Sequence, residues 1–125
     1  MDTEEQEPCK TERLPNCENA IVEQEKVINY LLNQKHPYGA GKARFFADRG
    51  FCIGQWKLLR DALNEHGCRH EVVTEYETGF GPRCSVEGEL NTPDGHCPNI
   101  RSVWQMDKGA SAPRLITAYP LETKL

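Results

Sequence analysis

Long apolar runs are missing from this 125-residue chain: none exceeds three residues, as in Phe51–Ile53. A membrane-crossing helix needs roughly 20, so none is expected. The opening MDTEEQEPCK has neither a basic nor an apolar stretch, so no secretory signal is expected. Aromatics are few, at 8%, and methionines number two, which leaves a small core for a polar chain of mean hydropathy −0.68. Excess positive charge is missing too. Fifteen Lys and Arg face nineteen Asp and Glu, a net −4, and this argues against indiscriminate duplex binding, which runs on phosphate neutralisation. No Cys-x-x-Cys pair occurs among the six cysteines, which removes the usual paired spacing of a structural zinc site.

The size matches one domain, and the chain divides by composition. Residues 1–18 hold six acids, two prolines and one leucine, a disordered acidic leader by composition. One domain is expected over 19–122. Its charge is uneven: residues 35–69 carry seven basic and three acidic side chains, a local +4, leaving −8 elsewhere. With no export signal, a cytoplasmic location and reduced thiols, mostly buried as small hydrophobes, are expected for Cys9, Cys17, Cys52, Cys68, Cys84 and Cys97. His66, Cys68 and His70 alternate and would share one face of a strand. They fall short of a full metal shell, and neither metal nor cofactor is expected.

Val27, Ile28, Leu31 and Leu32 form a helical stripe, predicting a helix over residues 23–32. The stretch NQKHPYGAG is a loop by its proline and glycines. A short helix follows over 42–49 with Gly50 as its left-handed cap, then a third carrying Trp56, Leu59 and Leu63 that ends at Gly67. Beyond Gly67 the period changes from 3.6 to 2. Four strands are predicted over 70–76, 84–90, 99–106 and 113–119, separated by turns too short for parallel crossovers. The fold class is therefore α+β, with N-terminal helices packed on one face of a four-stranded antiparallel meander.

Two regions carry candidate chemistry. NQKHPYGAGKARFF holds His36, of the residue type suited to general acid or base work, and Lys42 stands at a helix start whose N–H groups favour anions. In the C-terminal hairpin, alternation puts Arg101, Val103 and Gln105 on one face and Leu115, Thr117 and Tyr119 on one face of the next strand. Arginine suits bidentate phosphate contact, as Arg101 and Arg114 could make, and the Thr and Tyr hydroxyls can hydrogen-bond a phosphate.

The stretch AIVEQEKVINYLLNQKHPYGAGKARFFADRGF, with RSVWQMDKGASAPRLITAYP, resembles an uncharacterised family of small bacterial domains. That family has the pattern K-L-x-x-Y-L-L-N-x-x-H-P-x-G-x-x-K-A-x-F-F and a terminal P-R-L-V-T-A-Y. Lys26, Tyr30, Asn33, His36, Pro37, Gly39, Lys42 and Phe46 are among the positions that match. More remotely, helices followed by a four-stranded sheet ending in RLITAYP are similar to the metal-independent ribonucleases that include barnase, EndoU, colicin nucleases and RelE-type toxins. That resemblance implies RNA cleavage through the adjacent 2′-hydroxyl. It makes His36 a general base or acid, Lys42 and Arg101 stabilisers of the phosphorane, and Thr117 a phosphate-positioning group. Asn33, Arg44, Arg114 and Tyr119 are the expected substrate-binding residues. A tRNA-like substrate met by a local basic patch fits the negative total charge, and an immunity or antitoxin protein is the expected partner. The alternative is a non-catalytic protein-binding module associated with a toxin or phage system.

Overall fold

The computed structural model describes residues 13–37 and 39–121. After a 3-10 turn (Cys17–Asn19), helix α1 (Gln24–Lys26) runs directly into a π-helical turn (Val27–Leu31), where the Leu32 N–H reaches back to the Val27 carbonyl at 2.8 Å. Val27, Leu31 and Leu32 are buried, as their stripe predicts. Helix α2 (Ala40–Asp48) starts two residues earlier than expected, so Lys42 sits within its first turn. Gly50 has φ +103°, the conformation that a helix-ending glycine supplies without strain.

Helix α3 (Trp56–Arg69) does not stop at Gly67. Gly67 is needed there for another reason: a Cβ would lie 2.8 Å from Trp104 Cζ2, so the glycine lets the helix lie against the core indole. Two further turns of expectation are thereby corrected. His66 and Cys68 are helical rather than alternating on a strand, and the His66–Cys68–His70 face does not form. The helix ends instead where Arg13 donates to the Cys68 and Arg69 carbonyls at 3.1 and 2.7 Å, covering terminal acceptors that α3 cannot satisfy itself.

Strands β1 (Val72–Thr78), β2 (Gly81–Glu89), β3 (Asn99–Gln105) and β4 (Arg114–Pro120) form the predicted antiparallel meander in the order β1-β2-β3-β4. Val86, Ile100, Trp104, Leu115 and Ala118 meet Phe46, Leu59 and Leu63 of the helices in one core. The alternation reading of β4 needs correction. A register shift pairs Val103 with Thr117 but Trp104 with Leu115, which leaves Ile116 as an extra residue. Leu115 therefore goes inward with Trp104, while Thr117 and Tyr119 stand opposite Val103 and Arg101.

Of the expected leader, residues 1–12 lie outside the described residues. Residues 13–18 pack: Leu14 is buried in the core, and Cys17 is joined to Cys68, with Cα atoms 5.3 Å apart. The expectation of reduced, buried thiols is corrected at this pair. The strap that carries Leu14 down onto Gly67 and Trp104 also delivers Cys17 to the end of α3. Cys84 is buried as expected, whereas Cys52 is exposed, and Cys9 lies outside the described residues. No helix among the described residues is long and apolar enough to cross a membrane.

Candidate functional site

The π-helical turn sends Val27 and Leu31 into the core and leaves Tyr30 pointing at β4. Its hydroxyl lies 3.1 Å from Thr117 Oγ1. The bulge at Ile116 places Ile116 and Thr117 side by side on an open groove of about 480 Å³ that Lys26, Tyr30 and His36 complete. Lys26 and Lys42 each hold an ammonium 5.4 Å from the Tyr30 ring centre, within cation–π range. The His36 ring meets the same ring edge-on, with centres 4.9 Å apart.

Local chain chemistry fixes this arrangement. The Asn33 side chain donates to the Asn29 carbonyl at 3.2 Å and accepts from the Lys35 N–H at 3.0 Å, closing the helix end. The His36 N–H donates to the Asn33 carbonyl at 3.1 Å. Gly39 N–H then donates to His36 Nδ1, also at 3.1 Å. An Nδ1 that accepts puts the neutral ring's proton on Nε2. Gly39 has no room for a side chain, since a Cβ would lie 2.8 Å from Tyr30 Cδ1. Its backbone thus lies close against Tyr30.

Burial alone would raise the Tyr30 phenol's pKa. Hydrogen bonds from Thr117 and Lys42, together with the charges of Lys42 and Lys26, outweigh that, and the phenol lies below its ordinary value of 10.0. Such a group gives up its proton more readily than a free tyrosine.

The four residues expected to be catalytic divide unequally. His36, Lys42 and Thr117 meet around Tyr30. Arg101 lies one step away on the sheet face, opposite Tyr119 and diagonal to Thr117. Its Nε donates to Glu87 at 2.7 Å and its Nη1 to the Tyr119 hydroxyl at 3.3 Å; the Glu87 bond and then the Tyr119 bond raise the guanidinium's pKa further. Among the expected binding residues, Asn33 is engaged in its own turn and Arg44 is exposed on α2. Arg114 makes a two-pronged contact to Asp107 at 2.6 and 3.3 Å. Lys26 and Tyr30 were not among the expected site residues. The basic stretch 35–69 brings Lys42 over the Tyr30 ring, while its Arg49, Arg60 and Arg69 are drawn into ion pairs with Asp94, Asp61 and Glu65.

With this geometry in place, known proteins offer two likenesses. A family model described as "Domain of unknown function (DUF6883)" matches residues 13–122. A chain in the solved structure of a contact-dependent growth inhibition toxin and immunity protein complex from Klebsiella pneumoniae 342 aligns with a TM-score of 0.64. The identity is 17%, over 81% of this chain and 99% of that one, a likeness of fold. No curated protein matches the chain.

Proposed function

The chain belongs to that family of unknown function, and we propose that it is a metal-independent ribonuclease of a toxin system, with an immunity protein as its partner. One observation carries the reading: a tyrosine has two lysine ammonium groups each 5.4 Å from its ring centre, with a hydroxyl and an imidazole beside it, on an open groove. Phosphoryl transfer without a metal needs a proton acceptor, a proton donor and fixed positive charge at the phosphate. All three are in reach of Tyr30. The likeness to a chain from a toxin and immunity protein complex supports the choice of system.

In the reaction the Tyr30 oxygen, once its phenol proton has passed to water, takes the proton of the ribose 2′-hydroxyl, whose oxygen bonds to the adjacent phosphorus. The bond from phosphorus to the 5′-oxygen breaks, and that oxygen takes a proton from the Lys42 ammonium. Products are a 2′,3′-cyclic phosphate and a free 5′-hydroxyl. Lys42 recovers its proton from Tyr30, over whose ring its ammonium lies, so the pair ends as it began. Lys26 and the Nε2–H of His36 stabilise the phosphorane oxygens, and Thr117 orients the phenol. Arg101 and Tyr119 extend the groove onto the sheet face, where the next nucleotide lies. A compact cationic groove on an acidic protein selects a structured RNA such as a tRNA over arbitrary duplex.

The test is incubation of purified protein with total RNA in EDTA. Cleavage leaving cyclic phosphate ends is expected, reduced on the order of 100-fold in Tyr30→Phe and Lys42→Ala and lowered in His36→Ala. Intact RNA with the unaltered protein, or equal cleavage by all variants, overturns the reading and leaves the non-catalytic binding module.

A further inference from the structure

The two edges of the sheet differ. Beside β4, Ile21 forms a parallel bridge to Arg114: its N–H donates to the Pro113 carbonyl at 2.8 Å and its carbonyl accepts from Leu115 at 2.9 Å. β1 pairs with β2 alone among the described residues, and residues 73–77 are exposed throughout. An unpaired strand edge offers a row of N–H and C=O groups to any extended chain. Natural edges of this kind are normally kept polar, yet of the six large exposed hydrophobics among the described residues three lie on this hairpin: Val73, Tyr76 and Phe80, at 50, 54 and 73% exposure.

We propose that the outer edge of β1 docks an extended, basic segment of a separate protein, which adds to the sheet as a fifth strand. Main-chain hydrogen bonds provide affinity in this mode, and alternate side chains provide specificity. The alternation assigns the two faces. Glu75 and Glu77 lie opposite Cys84 and Pro82 on the helix side, while Thr74 and Tyr76 lie opposite Ser85 and Arg83 on the open side. A Lys or Arg beside each glutamate and an apolar residue beside Tyr76 match this pattern.

Charge selects the occupant. Glu71, Glu75 and Glu77 sit in no ion pair among the described residues. Two copies pairing through β1 would set carboxylates against carboxylates, which destabilises cross-strand pairs, and RNA phosphates would be repelled in the same way. The edge also lies three strand spacings from β4, about 14 Å, so this partner leaves the Tyr30 groove open.

The proposal is independent of the ribonuclease reading, and its test contains no RNA. Isotope-labelled protein is titrated with a ten-residue peptide alternating Lys with Val and Thr, and with its Glu counterpart, while backbone amide shifts are followed. The Lys peptide is expected to shift β1 amides saturably and to bind about tenfold more tightly than the Glu peptide. The doubly substituted Glu75→Lys, Glu77→Lys protein is expected to reverse that preference. Equal affinities, shifts centred on the Tyr30 groove, or no binding at millimolar peptide overturn the proposal.

Discussion

Acid is expected to weaken this fold through one histidine. His66 is 1% exposed and closes a chain of hydrogen bonds: Trp104 Nε1–H to Ser102 Oγ at 2.8 Å, the Ser102 hydroxyl to His66 Nδ1 at 2.9 Å, and His66 Nε2–H to the Gly88 carbonyl at 3.1 Å. Every member is satisfied only while the imidazole is neutral. Burial is the main reason its pKa falls from 6.5 to about 4; the nearby His70 lowers it further, against a raising bond to Gly88. A folded pKa below the unfolded one means the unfolded chain binds the proton first. The stabilisation is therefore complete above pH 6.5 and is lost as pH falls toward 4. At about 1.4 kcal/mol per pH unit the whole effect is about 3 kcal/mol, of which about 2 kcal/mol falls between pH 7 and 5. The carboxyls of Asp94, bonded by Thr92 and His96, and Asp107, bonded by Arg114, are also held low, but carboxylates act below about pH 5. Urea unfolding followed by circular dichroism at pH 7, 6 and 5 reads the loss directly, and a His66→Gln protein should show no such slope above pH 5. An unfolding free energy that does not change from pH 7 to 5, or a His66 ring resonance titrating near 6.5, refutes the reasoning.

Two other outcomes follow from the same core. Cys17 and Cys68 close a loop of 51 residues, so Cys17→Ser should cost about 3–4 kcal/mol on chain-entropy grounds; urea midpoints of oxidised protein against the variant measure it, and coincident midpoints contradict the crosslink. Gly67→Ala forces a methyl to 2.8 Å from the Trp104 ring and should cost about 1–3 kcal/mol by overpacking. Thermal unfolding checks this, since alanine would otherwise stabilise a helix interior.

The helices and the meander are legible in sequence because the apolar period changes once, near Gly67, and each strand is bounded by glycine- and proline-rich turns. Leu14 and Cys17 are not, because a dense acidic composition hides two residues that tertiary packing claims. The bulge at Ile116 leaves no mark in an alternating strand, yet it decides that Leu115 and Thr117 face apart. The candidate site is half legible: His36 and Lys42 stand in a motif, and Thr117 in a strand. Tyr30 and Lys26 stand in the same motif, but nothing in the motif assigns them to the site, and only the packing of the π-helical turn beside β4 brings the Tyr30 hydroxyl to Thr117.

The Ile21 bridge has a consequence for assembly. Sheets aggregate by repeating one edge-to-edge contact, which requires an open edge on both sides of every copy. Here the strap occupies part of the β4 side, held in place by the Cys17–Cys68 link and by Arg13. The start of β4, around Arg114, is therefore taken, and among the described residues β1 is the less obstructed edge for an added strand. The same few residues that tie the strap to α3 and β4 thus direct an incoming strand to the opposite edge of the sheet.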